Sequence, residues 1–417
     1  MGTPRPITVV AIGAAGVLAA CGGSTGGGSQ SPSSILIALN VPGSSDAYVA
    51  RVIEHGAELA VKEANQKGLT IAGHIYHLTF KIYDDSGQPQ QSAGNVGTAI
   101  HDGAVAVVED GLGAKVSTSQ SNAAGVPEIV ITNGDATLLD PQSRPGLFRL
   151  GIANDAASNV LGRYIAGKST SVAIIHDDSE NGRDGSAQLV TALGTAGVTA
   201  RSPIEVAAGA PTLDAQVAEL AAGNPGAIAI WGSDTFVGRA VTAIRASGAT
   251  TPLFSGPSGE SPAVRALAGN SASDGLRLVS SRMTSESDAS SFGQFEQRLA
   301  AAGLGPYDAG FRSAAGQEIR QPDDASIFSY DAVNLVVAAL KKQNSVQPGQ
   351  SLIRAIGQVK VASANGDARG FNPQNHEGVA DDDMYISVIH DLQFEPVKDE
   401  PLSASLPTQD EILADFH

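Results

Sequence analysis

Gly162-Arg-Tyr-Ile-Ala-Gly-Lys-Ser169 spells a phosphate-binding loop letter for letter. A working loop of that kind follows a strand and opens a helix, so that phosphate meets the unpaired N–H groups of the helix start. Here the order is reversed, because a helix over about 155–167 runs into the string and a strand over 171–175 follows it. The string therefore reads as a helix C-terminus with a basic cap. Acid pairs such as Asp84-Asp85 and Asp381-Asp-Asp383 have the residue type for acid–base chemistry, and read more simply as solvated turns. His74 and His77 fall in a turn-and-strand segment where they face opposite ways, and no helix carries histidines at i, i+4. No metal site is expected from such a pattern. There is no Gly-x-Ser-x-Gly nucleophile turn, and the single cysteine, Cys21, offers no Cys–His pair elsewhere in the chain. The chain is expected to be neither an enzyme nor the holder of a cofactor.

The composition agrees with a binding role rather than a nucleic-acid one. The 417 residues carry 26 Lys+Arg against 43 Asp+Glu, a net charge of −17 that repels phosphate backbones. Apolar residues make up 42% and charged residues 17%, enough to bury large cores. Cys21 follows an uncharged apolar run, residues 7–20, preceded by a short segment with the cation Arg5. That is the layout of a secretory signal, too short for a comfortable membrane span. Leu18-Ala19-Ala20-Cys21 resembles the bacterial lipobox, which implies that residues 1–20 are cleaved and that the Cys21 thiol is lipidated. Two acyl chains would anchor the protein stably. Residues 21–34 then form a Gly/Ser/Thr/Gln/Pro tether, and the expected place of the body is the extracytoplasmic face of a bacterial cell membrane.

The elements that must position a site alternate. Strands are expected at 34–39, 78–83, 104–108 and 129–131, with helices at 47–66, 88–101 and 114–124 between them. The pattern restarts with strands at 171–175, 201–206, 227–231 and 252–254 and helices at 183–195, 212–222 and 235–247. Helices at 288–302, 325–343 and 350–358 and a strand at 384–389 follow, and 397–417 reads as an irregular acidic tail. Such alternation gives parallel sheets covered by helices, here in two α/β units.

Several segments together resemble a known family: Gly56-Ala-Glu-Leu-Ala-Val-Lys-Glu-Ala-Asn65, Tyr83-Asp-Asp85, Ala124-Gly-Val-Pro127, Leu147-Phe-Arg149, Val172-Ala-Ile-Ile-His-Asp177, Ser329-Tyr-Asp-Ala332 and Gly370-Phe-Asn-Pro. In this order they resemble the type I periplasmic-binding fold, and within it the branched-chain amino-acid binding proteins of ABC transporters. The resemblance implies an α/β fold of two Rossmann-like lobes joined by a three-strand hinge, with lobe one at 35–152 plus 284–382 and lobe two at 153–283 plus 383–396. It further implies a ligand between the lobes at the carboxyl ends of the strands, captured by hinge closure.

The resemblance also names candidate ligand residues. Tyr48, after the first strand, would wall the ligand or pack at its own helix start. Gly111, Leu112 and Gly113 occupy the turn where the family holds the ligand carboxylate with a serine and backbone N–H groups, and no hydroxyl comes before Ser117. Gly134, Asp135 and Ala136 look like the family's second carboxylate turn, or a solvated one. Asn181 stands where the family often has an aromatic residue. Trp231 would stack on an apolar ligand or lie in the core, and Asp234 would pair with a ligand cation. Ser258 stands where amino-acid binders place a glutamate for the ligand ammonium, with Glu260 two residues on. Since Glu109, Asp110, Asp135 and Asp234 make the turns acidic, a neutral or cationic ligand is expected: an amide, a polyamine or a polyol. The expected activity is capture of a small polar molecule, an amino acid or a related amide, polyamine or polyol, for an ABC permease by a monomer, and the alternative is a ligand-sensing or scaffold lipoprotein with the same fold and no transport role.

Overall fold

The computed structural model describes residues 33–207, 209–281, 291–305, 312–319, 323–366, 368–380 and 383–399. The expected signal, Cys21, the tether up to residue 32 and the tail from residue 400 lie outside the described residues.

The first sheet is built from β1 (Ser33–Val41), β2 (Leu69–Ile71), β3 (His74–Asp84), β4 (Ala104–Glu109), β5 (Glu128–Val130) and β6 (Leu147–Arg149), in the order β2-β3-β1-β4-β5-β6. All neighbours in it are parallel except the β2–β3 hairpin. β4 is buried at every position, as its Ala-Val-Ala-Val-Val sequence requires of a strand covered on both faces. The covering helices are α1 (Ala47–Lys67), α2 (Pro89–His101) and α3 (Ala114–Ala124). α1 buries Val52, Ile53, Leu59 and Ala60 on one stripe and ends at Gly68.

α4 (Asn154–Ala166) leads into a second sheet, made of β7 (Ser171–Asp177), β8 (Thr199–Ala200), β9 (Ile204–Val206), β10 (Ala227–Trp231), β11 (Leu253–Ser255), β12 (Arg277–Ser280), β15 (Tyr385–His390) and β16 (Gln393–Pro396). Its helices are α5 (Glu180–Thr195), α6 (Asp214–Ala221), α7 (Asp234–Ala246) and α8 (Pro262–Ser273). Between β12 and β15 the chain forms α9 (Ser291–Ala301), α10 (Asp324–Gln343), α11 (Gln350–Ile356) and a small hairpin, β13 (Lys360–Ala362) with β14 (Ala368–Gly370). α9 and α10 pack on α1, beside the first sheet, before the chain re-enters the second sheet.

The sequence leads to parallel sheets, whereas the sheets are mixed: β12–β15 and β15–β16 are antiparallel. The strand expected at 201–206 forms only over its second half, as β9, and β8 lies just before it; both pair with β7, at different points. Of residues 397–399, assigned to the tail, Val397 is buried, and the exposed Asp399 accepts a hydrogen bond from Tyr164. Lys168 of the loop-like string also binds Asp399. The N–H groups of Gly167, Lys168 and Ser169 are spent on the carbonyls of Arg163 and Ile165, so this string does not present the unpaired backbone donors of a helix start.

Candidate functional site

At the carboxyl end of the first sheet, β1 is flanked by Asp85 and Asp110, whose N–H groups bond the carbonyls of Val41 and Asn40. Asp85 is fully buried, and burial together with its charge raises Asp110 to about 7. Glu109 lies in the sheet core, where Asn40 Nδ2 reaches its Oε2 at 3.3 Å, and burial followed by the nearby Glu128 pushes it well above the ordinary range. The turn after β4 is tight: Gly111 has φ +94, and a Cβ there would lie 2.5 Å from Val130. Asp110 itself accepts the Leu112 N–H at 2.9 Å, which uses one donor that a bound anion would need. Gly113 then caps α3, and Ser117 is buried and donates to Glu128.

The turn after β5 is held from beneath. Arg149, 1% exposed, donates through Nη1 to the carbonyls of Asn133 at 3.1 Å and Asp135 at 2.8 Å, and pairs bidentately with Glu377 through Nε and Nη2. Asn133 Nδ2 donates to the Gly111 carbonyl and so ties this turn to the previous one. Asp135 accepts from the Thr137 N–H at 2.7 Å and hydroxyl at 2.9 Å, and from the Lys115 ammonium. Burial alone would raise its carboxyl, but these donors outweigh it and hold the group at about 2.

The second sheet presents a matching row. Asp177, at the end of β7, accepts from Ser233 N and Oγ at 2.8 and 2.9 Å, joining the start of α7 to that of α5. Ser179 and Ser233 cap these helices. Asn181 accepts from Asn154 Nδ2 at 3.0 Å. Trp231 is a core residue, 2% exposed, and a Cβ on Gly185 would lie 1.9 Å from its indole nitrogen. Asp234 accepts from Thr235 N at 2.6 Å and Ser261 Oγ at 2.8 Å. Burial, then the adjoining Asp46 carboxyl, raises Asp234 to about 7. Ser258 is half-buried in a short 3-10 turn, and Glu260 is buried, accepting from Ser280 Oγ and the Asp324 N–H at 2.9 Å each. Glu260 thus satisfies the first N–H of α10, beside the Asp323 cap.

The two rows touch. Lys115 Nζ reaches Glu180 of α5 at 2.8 Å, the Ala136 N–H reaches Asp184 at 3.2 Å, and the Asp46 and Asp234 carboxyls adjoin. Gly111, Leu112, Gly113, Gly134, Asp135, Ala136, Asn181 and Asp234 all lie in these turns, and Tyr48, 37% exposed, stands in the first turn of α1 just after the Asp46 cap. The strongly negative field expected from four acids does not follow from this geometry. Burial pushes Glu109 toward its neutral form and, with a neighbouring acid adding to the rise, brings Asp110 and Asp234 to about 7, while Asp135 pairs with Lys115. Sequence reasoning missed Lys115; its one signal is a cation in the first turn of a helix, where the dipole disfavours it. Two shallow depressions of about 440 and 270 Å³ lie elsewhere, the first around Lys168–Ser171 and the second between the ends of α6 and α7. Among the described residues no group of three or more acids, histidines or cysteines is placed to hold a metal, and no helix is long and apolar enough to cross a membrane.

Residues 35–391 match the protein family described as periplasmic binding protein. No curated protein matches the chain by sequence. Among solved structures, the chain is similar to a type 1 periplasmic binding protein from Bordetella pertussis, with TM-score 0.74 and 20% identity over 87% of this chain and 100% of that one. It is similar to the branched-chain amino-acid substrate-binding protein LivJ from Streptococcus pneumoniae, in complex with isoleucine, at TM-score 0.72 and 17% identity over 87% and 98%. A solute-binding protein of an ABC transporter from R. palustris, in complex with benzoate, gives TM-score 0.73 and 17% identity over 87% and 95%.

Proposed function

This chain belongs to the periplasmic binding protein family, and from that premise we propose that it captures a small solute between the facing turns of its two sheets and delivers it to an ABC permease. The observation that carries the reading is the meeting of the two rows, where Lys115 with Glu180 and Ala136 with Asp184 bridge elements of different sheets. Ligands of open α/β sheets bind at the carboxyl ends of strands, and both rows are such ends. The work is mechanical: the two sheet-bearing halves, acting as lobes about the crossovers, part to admit the solute and close over it. The structures noted above were solved with isoleucine and with benzoate, so the proposed solute class takes in amino acids and aromatic acids, beside the amides, polyamines and polyols expected from the sequence. Capture is tested by thermal unfolding against a panel of such compounds. A solute at a hundred times its Kd stabilises by about 2.7 kcal/mol if it binds only the folded chain, and a panel without any stabilising member would contradict capture.

The protein is held at the extracytoplasmic face by lipid on Cys21 and works as a monomer. Cys21→Ser is expected to leave the body folded and to move it from the membrane fraction to the soluble one; mature-sized protein retained on membranes would refute the anchor. A single peak of monomer mass in size-exclusion chromatography with light scattering is expected beside it.

A further inference from the structure

We propose that Lys115 is the cation that receives an acidic solute, and that Glu180 is an internal carboxylate which the solute displaces from it. The inference rests on the reading that solute enters between the two rows of turns.

Lys115 sits in the first turn of α3, against the helix dipole, so its position is not explained by helix stability. Its two partners are unequal. Asp135 has a side chain 4% exposed, belongs to the same half of the structure, and is fixed by Thr137 and by Arg149 beneath its carbonyl. Glu180 has a side chain 64% exposed, comes from α5 beside the other sheet, and lies within hydrogen-bond reach of the Asp135 carboxyl as well as meeting the ammonium. An exposed lysine–carboxylate contact contributes little, so Glu180 is cheap to displace, whereas Asp135 is not. A solute carboxylate taking the place of Glu180 keeps the charge count at the ammonium unchanged. Lys115 also supplies the donor that the α3 turn lacks, since Asp110 takes the Leu112 N–H and no hydroxyl precedes Ser117 in the turn. Of the other cations at these turns, Arg149 lies under the backbone and is committed to two carbonyls and Glu377, and Arg183 pairs with Glu205 at 2.7 Å. Of the acids expected to repel a carboxylate, Asp135 is paired with Lys115, and burial shifts Glu109, Asp110 and Asp234 toward their neutral forms.

The test is calorimetric titration of the full chain with isoleucine, benzoate and 3,4-dihydroxybenzoate, each beside its amide. The wild type is compared with Glu180→Gln, Lys115→Met and Lys115→Arg, with circular dichroism to establish that each variant is folded. At least one acid should bind wild type better than its amide does. Glu180→Gln should tighten that acid severalfold, Lys115→Met should weaken it at least about tenfold, and Lys115→Arg should retain it. The Lys115→Met loss should be specific to the acid, which a general loosening of the turn would not produce. An acid whose affinity ignores Lys115→Met overturns the assignment. Binding of amides alone also overturns it and leaves solute capture standing. Binding of no compound in the panel counts against capture itself and against the assignment with it.

Discussion

Asp234→Asn is expected to stabilise the chain by about 1–3 kcal/mol at pH 8 and to leave it unchanged or slightly weaker at pH 4. The cause is the position of the carboxyl, 4% exposed and adjoining Asp46, which raises it to about 7. A carboxyl raised above its unfolded value binds its proton more tightly in the folded chain. That contribution is fully present below about pH 4 and is lost as pH rises through about 7. Asparagine removes the charge that must otherwise be buried, and its amide still accepts one of the two donors, Thr235 N–H or Ser261 Oγ–H. Asp110→Asn should act in the same direction, since its carboxyl is also raised to about 7 and an asparagine oxygen can still cap Leu112. Asp135 has the opposite sign: held at about 2, it contributes above about pH 4 and loses that contribution as pH falls toward 2. Denaturant unfolding across pH 3–9 reads all three. A less stable Asp234→Asn variant at pH 8 would show that the two carboxyls are not in repulsive contact.

Arg149→Met should cost about 3–5 kcal/mol, the loss expected when one partner of a buried ion pair is removed. The guanidinium satisfies two carbonyls of the 133–135 turn as well as Glu377, so methionine leaves backbone acceptors unpaired beneath the site. Glu377 has a side chain 27% exposed and can regain water, which limits the loss. The same substitution should release Asp135 from its place beside Lys115 and weaken any solute held there. A denaturation midpoint shifted by less than about 1 kcal/mol would mean that the turn keeps its shape without the arginine.

Much of this architecture is legible in the sequence because buried parallel strands are short apolar runs. Ile35–Leu39 and Ala104–Val108 lie within β1 and β4, and the helix expected at 114–124 is α3 itself. What escapes has weak local signal. α8 is built of small residues and is broken inside by Gly269 at φ +68, β12 has four residues, and β6 and the β13–β14 hairpin are shorter still. The turns of the site are legible as positions, since they follow strands. Their electrostatics are not, because each decisive partner comes from a distant part of the chain: Asp46 for Asp234, Glu180 for Lys115, Asp324 for Glu260. An acidic string such as Glu109-Asp110 reads as negative charge only until burial and pairing are known.

Hydrogen–deuterium exchange of the chain with and without the panel compound that stabilises it most tests the central claim most directly. Capture between the two rows predicts slowed exchange at both together, at 110–115 and 133–137 after β4 and β5 and at 179–184 and 232–235 after β7 and β10. Slowing confined to one row, or to the depression between α6 and α7 lined by Val217, Leu220 and Ile244, would contradict it.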